Sequence, residues 1–234
     1  QIVNQMNKVC YMSGGQKNVP MVIRTTIGAG RAAAAQHSQS LLAPIAHFPG
    51  AKIVIPSDAY TAKGLLKSAI RDNNPVIVVE HRKQFSMEYD MPDDADENLL
   101  IPIGKSAVVH EGTDVTVVAS AYQVGQCVNV AKHLEKKGIS VEVIDLRTLV
   151  PLDKETIVKS VKKTGRLLIV DEGYESFGVA AEITAAIEKD VFYDLDMPIS
   201  RLAAPDVPIP FSPALEKLIV PTEKTILNAI KELV

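Results

Sequence analysis

The sequence predicts an α/β fold built on parallel sheets. Short runs rich in β-branched residues alternate with amphipathic helical patterns along most of the 234 residues. These runs are continuously apolar instead of alternating, as in strands that are covered on both faces. Helical connections between parallel strands are the usual way to cover both faces, and 47% hydrophobic residues supply an ample core.

Seven runs predict strands, the last one more weakly than the others: 19–25, 51–56, 75–81, 114–120, 141–146, 166–172 and 198–204. Five helical patterns lie between or after them, at 58–73, 122–137, 154–163, 177–190 and 222–233. Ser57 is expected to cap the first of these helices. Gly138 and Gly165 stand where the second and third helices should end.

The chain predicts two units joined by a linker. Residues 82–104 are acidic, contain proline and show neither a helical nor a strand period, so they are expected to link the units. Residues 1–81 show only three strands, which is the content of half a domain. Residues 105–234 have enough strands for a complete domain.

The composition excludes several classes of function. A net charge of −3, no Trp and few aromatic residues argue against a nucleic-acid partner. No apolar segment approaches the roughly 18 residues that span a bilayer. Cys10 and Cys127 are far apart, and we expect two buried thiols in a reducing compartment.

The stretch GAGRAAAAQHSQS, residues 28–40, follows the first predicted strand and allows three interpretations. It has the outline of a dinucleotide-binding turn, but the nearest acid after the second strand is Asp58, 30 positions past Gly28 instead of roughly 20. The glycines could instead only permit a tight turn. The third interpretation is a loop that presents His37, because an imidazole suits acid–base chemistry near neutral pH and ligands gather at the carboxyl ends of parallel strands.

Other titratable residues favour structural roles. Asp145 and Arg147 fit a structural ion pair better than a catalytic role. Asp171-Glu172 ends a strand, where either a functional pair or a solvated strand end is open, and the solvated end is expected. The remaining histidines show no metal-ligand spacing and are expected at the surface or in the core: His47, His81, His110 and His133.

Five segments resemble a known family in order and spacing: 28–40, 47–81, VEVIDLRTLVPLD (141–153), VDEG (170–173) and APDVPIPFSPALE (204–216). They look like the β subunits of thiamine-diphosphate-dependent 2-oxo acid dehydrogenases, the E1 family of the pyruvate, branched-chain and acetoin enzymes. The acetoin type is the most similar. Arg31 departs from the bulky apolar residue expected at its position.

The resemblance implies the C-terminal half of a pyrimidine-binding domain followed by a transketolase C-terminal-like domain. It implies an oxidoreductase that cleaves a C–C bond of a 2-oxo acid or acetoin and passes the acyl group to lipoamide on an E2 acyltransferase. The partner is an α subunit, in an α2β2 assembly, and holds most of the thiamine diphosphate and its Mg²⁺. Roughly 90–100 N-terminal residues of the family, with its catalytic glutamate, are expected to be absent, so these residues alone should be inactive.

The resemblance also assigns site residues. His37 matches the family's active-site histidine and is the expected catalytic residue, while Gly28, Gly30 and Gln36 are the candidate cofactor contacts. A monovalent cation such as K⁺ would be held by Ala69, Asp72 and Asn74, although Asp72-Asn73-Asn74-Pro75 also suits an ordinary helix-stop turn. No Mg²⁺ ligand is expected on this chain.

Two alternatives stay open at this stage. The chain could be a non-catalytic module that docks the complex, or another enzyme of the transketolase group such as a 1-deoxyxylulose-5-phosphate synthase. The compartment is also open between a bacterial cytoplasm, a mitochondrial matrix and a plastid.

Overall fold

The structure is a computed structural model that describes residues 1–93 and 95–234. It confirms the predicted α/β fold and places nine strands of the described part in two sheets. In chain order the strands are β1 (Val22–Ile27), β2 (Lys52–Val54), β3 (Val76–His81), β4 (Ala107–His110), β5 (Val115–Ala119), β6 (Val141–Asp145), β7 (Thr148–Val150), β8 (Leu167–Tyr174) and β9 (Ser200–Ala204).

All five predicted helices are present, and shorter ones accompany them. In chain order the α-helices are α1 (Val9–Met12), α2 (Ala34–His37), α3 (Leu42–His47), α4 (Ala59–Ile70), α5 (Tyr122–Glu135), α6 (Lys154–Thr164), α7 (Val179–Val191), α8 (Pro213–Ile219) and α9 (Glu223–Lys231). A π-helical turn covers Ile2–Met6, and 3₁₀ turns cover Arg82–Ser86 and Phe192–Asp194. No helix in the described ranges is both long and apolar enough to cross a membrane.

The first sheet has the order β1-β3-β2-β7. The three strands predicted in residues 1–81 are parallel, and the register of β1 against β3 sets Ile27 opposite His81. The fourth strand, β7, comes from the second half of the chain and pairs antiparallel with β2. The two halves of the chain therefore share this sheet.

The second sheet has the order β4-β6-β5-β8-β9 and is parallel apart from β4. Every residue of β5 and β6 is buried, as expected for strands covered on both faces, and this includes the polar residues Thr116, Glu142 and Asp145. A single apolar cluster contains Ile53 and Ile77 of the first sheet together with Ile144 and Ile169 of the second. The two sheets are thus packed into one core.

The segment 82–104 packs on the first half of the chain. Its Leu99 and Ile101 are buried in a cluster with Leu65 of α4, and a Cβ on Gly64 would lie 2.6 Å from Ile101 Cγ1. Position 94 of this segment lies outside the described residues. The division into units at 1–81, 82–104 and 105–234 stays a prediction.

Candidate functional site

The stretch that begins at Gly28 forms a loop at the carboxyl end of β1 and leads into the short helix α2. His37 is the last residue of α2, and its side chain is exposed, as is that of Gln36. Ser38, by contrast, is buried, and the hydroxyls of Ser38 and Ser40 have no hydrogen-bond partner among the described residues. The loop therefore presents an imidazole to solvent with two uncommitted hydroxyls close to it in the chain.

Three backbone amides of this loop donate to carboxylates from the second half of the chain. The amide of Ala29 donates to Glu172 Oε1 at 2.6 Å. Gly30 N donates to Glu216 Oε1 at 2.6 Å, and Ala32 N donates to the other oxygen, Oε2, at 3.0 Å. The carboxylates occupy the position that an anion takes in a nest of backbone amides.

This arrangement argues against the dinucleotide interpretation. A phosphate in the loop would have to displace two carboxylates and would meet their negative charge. The same argument applies to the diphosphate of a thiamine cofactor, so this loop does not fit that group. The imidazole of His37 is among the side chains that the loop leaves exposed, together with those of Arg31 and Gln36.

The glycines of the loop make room for side chains of the same chain. A Cβ on Gly28 would lie 2.2 Å from Nε2 of His81, and one on Gly30 would lie 1.9 Å from Cε of Lys83. The positive φ angles of 111° and 91° also favour glycine at these positions. Neither Gly28 nor Gly30 therefore gains support as a cofactor contact, and both assignments stay predictions, as does that of Gln36.

His81 is buried, with 1% of its surface exposed, so one of the two placements expected for it, the core, is confirmed. Its Nε2 lies 2.8 Å from Glu172 Oε2, and its Nδ1 accepts a hydrogen bond from the amide of Lys83 at 3.2 Å. Because Nδ1 accepts, the proton belongs on Nε2, from which a neutral imidazole donates to Glu172. The ring also stacks on Tyr122, with 5.2 Å between centroids.

The expectation of a solvated strand end at Asp171-Glu172 is wrong, because both side chains are buried. Asp171 accepts hydrogen bonds from the amides of Gly173 and Ala180, and burial raises the pKa of its carboxyl. Burial also acts to raise the pKa of Glu172. The hydrogen bonds that Glu172 accepts from His81, from the amide of Ala29 and from Gln123 outweigh burial and hold that pKa below its ordinary value. Glu172 is accordingly a carboxylate that joins β8 to the loop.

Ion pairing between Asp145 and Arg147 is confirmed. Arg147 Nε lies 3.5 Å from Asp145 Oδ2, and the same oxygen accepts from the hydroxyl of Ser57 at 2.6 Å. Ser57 therefore does not cap α4 as expected. The cap is Asp58, which forms a reciprocal pair of hydrogen bonds with Thr61.

The expected cation ligands lie together at the end of α4. The carbonyl of Ala69 accepts from the amide of Asp72 at 3.2 Å. Oδ2 of Asp72 accepts from Lys52 at 2.5 Å, and Oδ1 accepts from the backbone and side-chain amides of Asn74. Both carboxylate oxygens already have donors, and this donor set fits the helix-stop turn better than a cation. The cation site stays a prediction.

Arg31, the departure from the family pattern, is exposed and lines a cavity of about 260 Å³ beside the loop. Lys83, Tyr122 and Lys217 also line this cavity, and the ammonium of Lys83 lies 4.8 Å from the ring centroid of Tyr122. Arg31 thus belongs to the same loop as His37 and borders this cavity.

Comparisons with known proteins agree with this fold. Residues 2–87 match the model of the transketolase pyrimidine-binding domain, and residues 104–226 match that of the transketolase C-terminal domain. In solved structures, a split-gene transketolase, an inactive β4 tetramer, gives a TM-score of 0.75 at 24% identity, covering 97% of this chain and 70% of that one. That likeness shows the fold.

Curated relatives are more similar in sequence. The pyruvate dehydrogenase E1 component subunit beta of Bos taurus is 47% identical over 99% of this chain and 65% of its own length. Subunit beta of the acetoin:2,6-dichlorophenolindophenol oxidoreductase of Bacillus subtilis is 44% identical over 100% of this chain and 67% of its own. The pyruvate dehydrogenase E1 component subunit beta of Rickettsia felis is 44% identical over 99% of this chain and 70% of its own length.

The chain spans about two thirds of the length of these relatives. Their identities lie so close together that they do not separate the pyruvate proteins from the acetoin proteins. Both domain models and the near-complete coverage of this chain nevertheless agree on one family. The chain belongs to the β subunits of the pyruvate and acetoin dehydrogenase E1 components, which join a transketolase pyrimidine-binding domain to a transketolase C-terminal domain.

Proposed function

We propose that this chain serves as the β subunit of a thiamine-diphosphate-dependent 2-oxo acid or acetoin dehydrogenase E1. In this role it cleaves the C–C bond beside the substrate carbonyl and passes the acyl group to lipoamide, together with an α subunit. The observation that carries the proposal is the exposed imidazole of His37, at the carboxyl end of a parallel strand, on a loop held by two buried carboxylates.

The family implies thiamine diphosphate, which supplies the electron sink for C–C cleavage when it is bound. We assign its diphosphate and Mg²⁺ to the α subunit. The support is that the amides of Ala29, Gly30 and Ala32, which could cradle a phosphate, already donate to Glu172 and Glu216. This chain then contributes side chains to a site that two polypeptides share.

His37 is the residue we assign to proton transfer. A histidine side chain gains and loses protons near neutral pH, which suits it to act as both acid and base in one cycle. Because it is exposed, the imidazole can meet a substrate held largely by another subunit. The hydroxyls of Ser38 and Ser40 lie close in sequence and can accept or donate hydrogen bonds there.

The test is turnover of the protein that carries this chain, assembled with its α subunit, thiamine diphosphate and Mg²⁺. Pyruvate, acetoin and branched-chain 2-oxo acids are compared, with 2,6-dichlorophenolindophenol as the electron acceptor. We expect turnover of at least one of these substrates, and only when the α subunit and thiamine diphosphate are both present. Turnover without either of them, or none with any substrate in an assembled complex, would contradict the proposal.

A docking role is the second candidate, and it is compatible with the first. The segment 211–218 exposes three large apolar side chains: Phe211, Leu215 and Leu218. Exposed apolar side chains of this kind are common at protein interfaces. A purely docking module would assemble with the α subunit and the lipoyl-bearing E2 while replacement of His37 left turnover unchanged. The other alternative, a different enzyme of the transketolase group, has support from the fold alone.

A further inference from the structure

The loop before His37 has a strained backbone. Ala32 and Ala34 have φ angles of 54° and 60°, in the left-handed region that residues with a Cβ seldom adopt. Neither is a residue type that visits this region readily, unlike glycine or asparagine. Strain of this kind persists only where the surrounding structure enforces it, and it is concentrated at functional sites.

The carboxylates of Glu172 and Glu216 hydrogen-bond to amides in this stretch of the loop. Both oxygens of Glu216 accept amides of the loop, at Gly30 and at Ala32. The carboxylate of Glu172 accepts the amide of Ala29 and is itself fixed by His81 and Gln123. Hydrogen bonds from amides to a carboxylate are stronger than those between neutral groups, so these three hold the loop firmly.

Both carboxylates are buried, and both lie far from the loop in sequence. Glu216, on α8, has 2% of its surface exposed, and its contacts with Gly30 and Ala32 cross 186 and 184 residues. Glu172, on β8, is 143 residues from Ala29. The second half of the chain thus sets the shape of a loop that belongs to the first half.

We propose that Glu172 and Glu216 are positioning residues for His37. They hold the strained loop in the conformation that directs the imidazole of α2 toward the shared site, and they act only through the loop. The catalytic part of this inference rests on the proposed function, while the mechanical part, the hold on the loop, does not.

The test replaces Glu216 by Gln in the assembled complex. A glutamine side chain has one oxygen and one NH₂ group. Its oxygen can accept a hydrogen bond from only one of the amides of Gly30 and Ala32, and its NH₂ group faces the other amide as a second donor. We expect kcat of the lipoamide-dependent reaction to fall at least tenfold, with KM for the 2-oxo acid unchanged within about twofold. Glu188→Gln is the matched control, because Glu188 is exposed on α7, and it should leave both constants unchanged.

A rescue variant separates positioning from general destabilisation. Glycine adopts positive φ without the clash that a Cβ causes, so Ala32→Gly removes strain that Glu216 otherwise enforces. In the Glu216→Gln background this second change should recover part of the lost kcat. Relief of strain at Ala32 also stabilises the fold, so Ala32→Gly in the wild type and urea unfolding of each variant measure that general effect. The absence of any recovery of kcat beyond it contradicts the positioning role.

Two further measurements do not depend on the proposed activity. Hydrogen exchange at the amide of Gly30 should be at least tenfold faster in Glu216→Gln than in the wild type. The rate of diethylpyrocarbonate modification of His37 should change relative to exposed His133. If exchange and modification are both unchanged, the hold on the loop is refuted, whether or not the complex is active. If they change while kcat of an active complex does not, the proposed function stands and the positioning role falls.

Discussion

Gly28 lies where the ring of His81 leaves no space for a side chain. The parallel register places His81 beside Ile27, so the residue after Ile27 must pass directly over the imidazole. The distance of 2.2 Å from an added Cβ to Nε2 is far shorter than any real contact. The turn therefore needs glycine for two reasons, the φ angle and the space.

We predict that Gly28→Ala lowers the free energy of unfolding by about 3 kcal/mol, because a left-handed φ and an overpacked contact add together. Gly138→Ala is the control, since Gly138 also has a positive φ, 81°, but a Cβ there meets nothing within 4 Å. Gly138→Ala should lower the free energy of unfolding by about 1 kcal/mol. Urea unfolding measures both values, and equal losses in the two variants would refute the role of His81.

The sequence predicts the residues of the site unevenly. His37 is assigned from the family resemblance, and its exposure on a loop after β1 agrees with that assignment without testing its chemistry. The sequence pattern predicts a solvated strand end for Glu172 and indicates no role for Glu216. The amides that bind these two carboxylates lie more than a hundred residues away in the sequence, and a local sequence pattern does not predict contacts over such a separation.

At the scale of elements, helix α4 shows how one residue decides a boundary. Both Ser57 and Asp58 are good capping residues, and a serine immediately before an acid is a common start of a helix. Asp58 has the extended backbone of a cap, with φ −157°, and its carboxylate accepts the amide of Thr61 at 2.6 Å. Ser57 does not cap the helix, because its hydroxyl donates a hydrogen bond to the buried carboxylate of Asp145.

Asp58→Ala should lower the free energy of unfolding by about 1 kcal/mol, the usual cost of losing a capping side chain. Glu188→Ala is a suitable comparison, because Glu188 is exposed in the interior of α7 and its loss should change stability by less than about 0.5 kcal/mol. Thermal or urea unfolding of the two variants decides the matter. A loss for Asp58→Ala no larger than for Glu188→Ala would show that the capping box contributes nothing.

The pattern of apolar runs predicts seven of the nine described strands, among them β3 and β5, which are buried on both faces. It misses β4 and β7. These are edge strands of four and three residues, both antiparallel to their neighbours, and β4 is only partly buried. Such short strands depend on a partner from elsewhere in the chain, which a local window of sequence does not contain.

At the scale of the whole molecule, Asp145 joins the two halves of the chain. Its carboxylate is fully buried and accepts from Ser57 of the first half, while Arg147 lies 3.5 Å away. Burial, the largest effect, raises the pKa of Asp145 to about 6, although the Ser57 hydroxyl and Arg147 act to lower it. The folded state therefore binds this proton more tightly than the unfolded chain does.

It follows that Asp145 makes the protein less stable as pH rises from about 4 to about 6, since in that range the folded state holds more protons than the unfolded state. The change amounts to about 3 kcal/mol, from a pKa difference of roughly two units. Asp145→Asn cannot ionise and lacks this dependence. Between pH 4 and pH 7, the stability of the variant relative to the wild type should therefore improve by about 3 kcal/mol.

Urea unfolding at several pH values measures this difference directly. Asp114→Asn is a control from the opposite end of the same sheet, because Asp114 is partly exposed and its carboxylate accepts from the amide of Ser140, the residue before β6. Parallel pH profiles for the wild type and Asp145→Asn would contradict a buried, ionisable carboxylate between the two halves.

The proposed activity requires His37 to act at a site shared with another subunit. The most direct measurement is the rate of acyl transfer to lipoamide by the α-containing complex with His37→Ala, alongside size-exclusion chromatography of the assembly. We predict an intact assembly and a rate at least about 100-fold below that of the wild type, the lower range of losses for a general acid–base residue. An intact complex that transfers the acyl group at the wild-type rate would contradict the account.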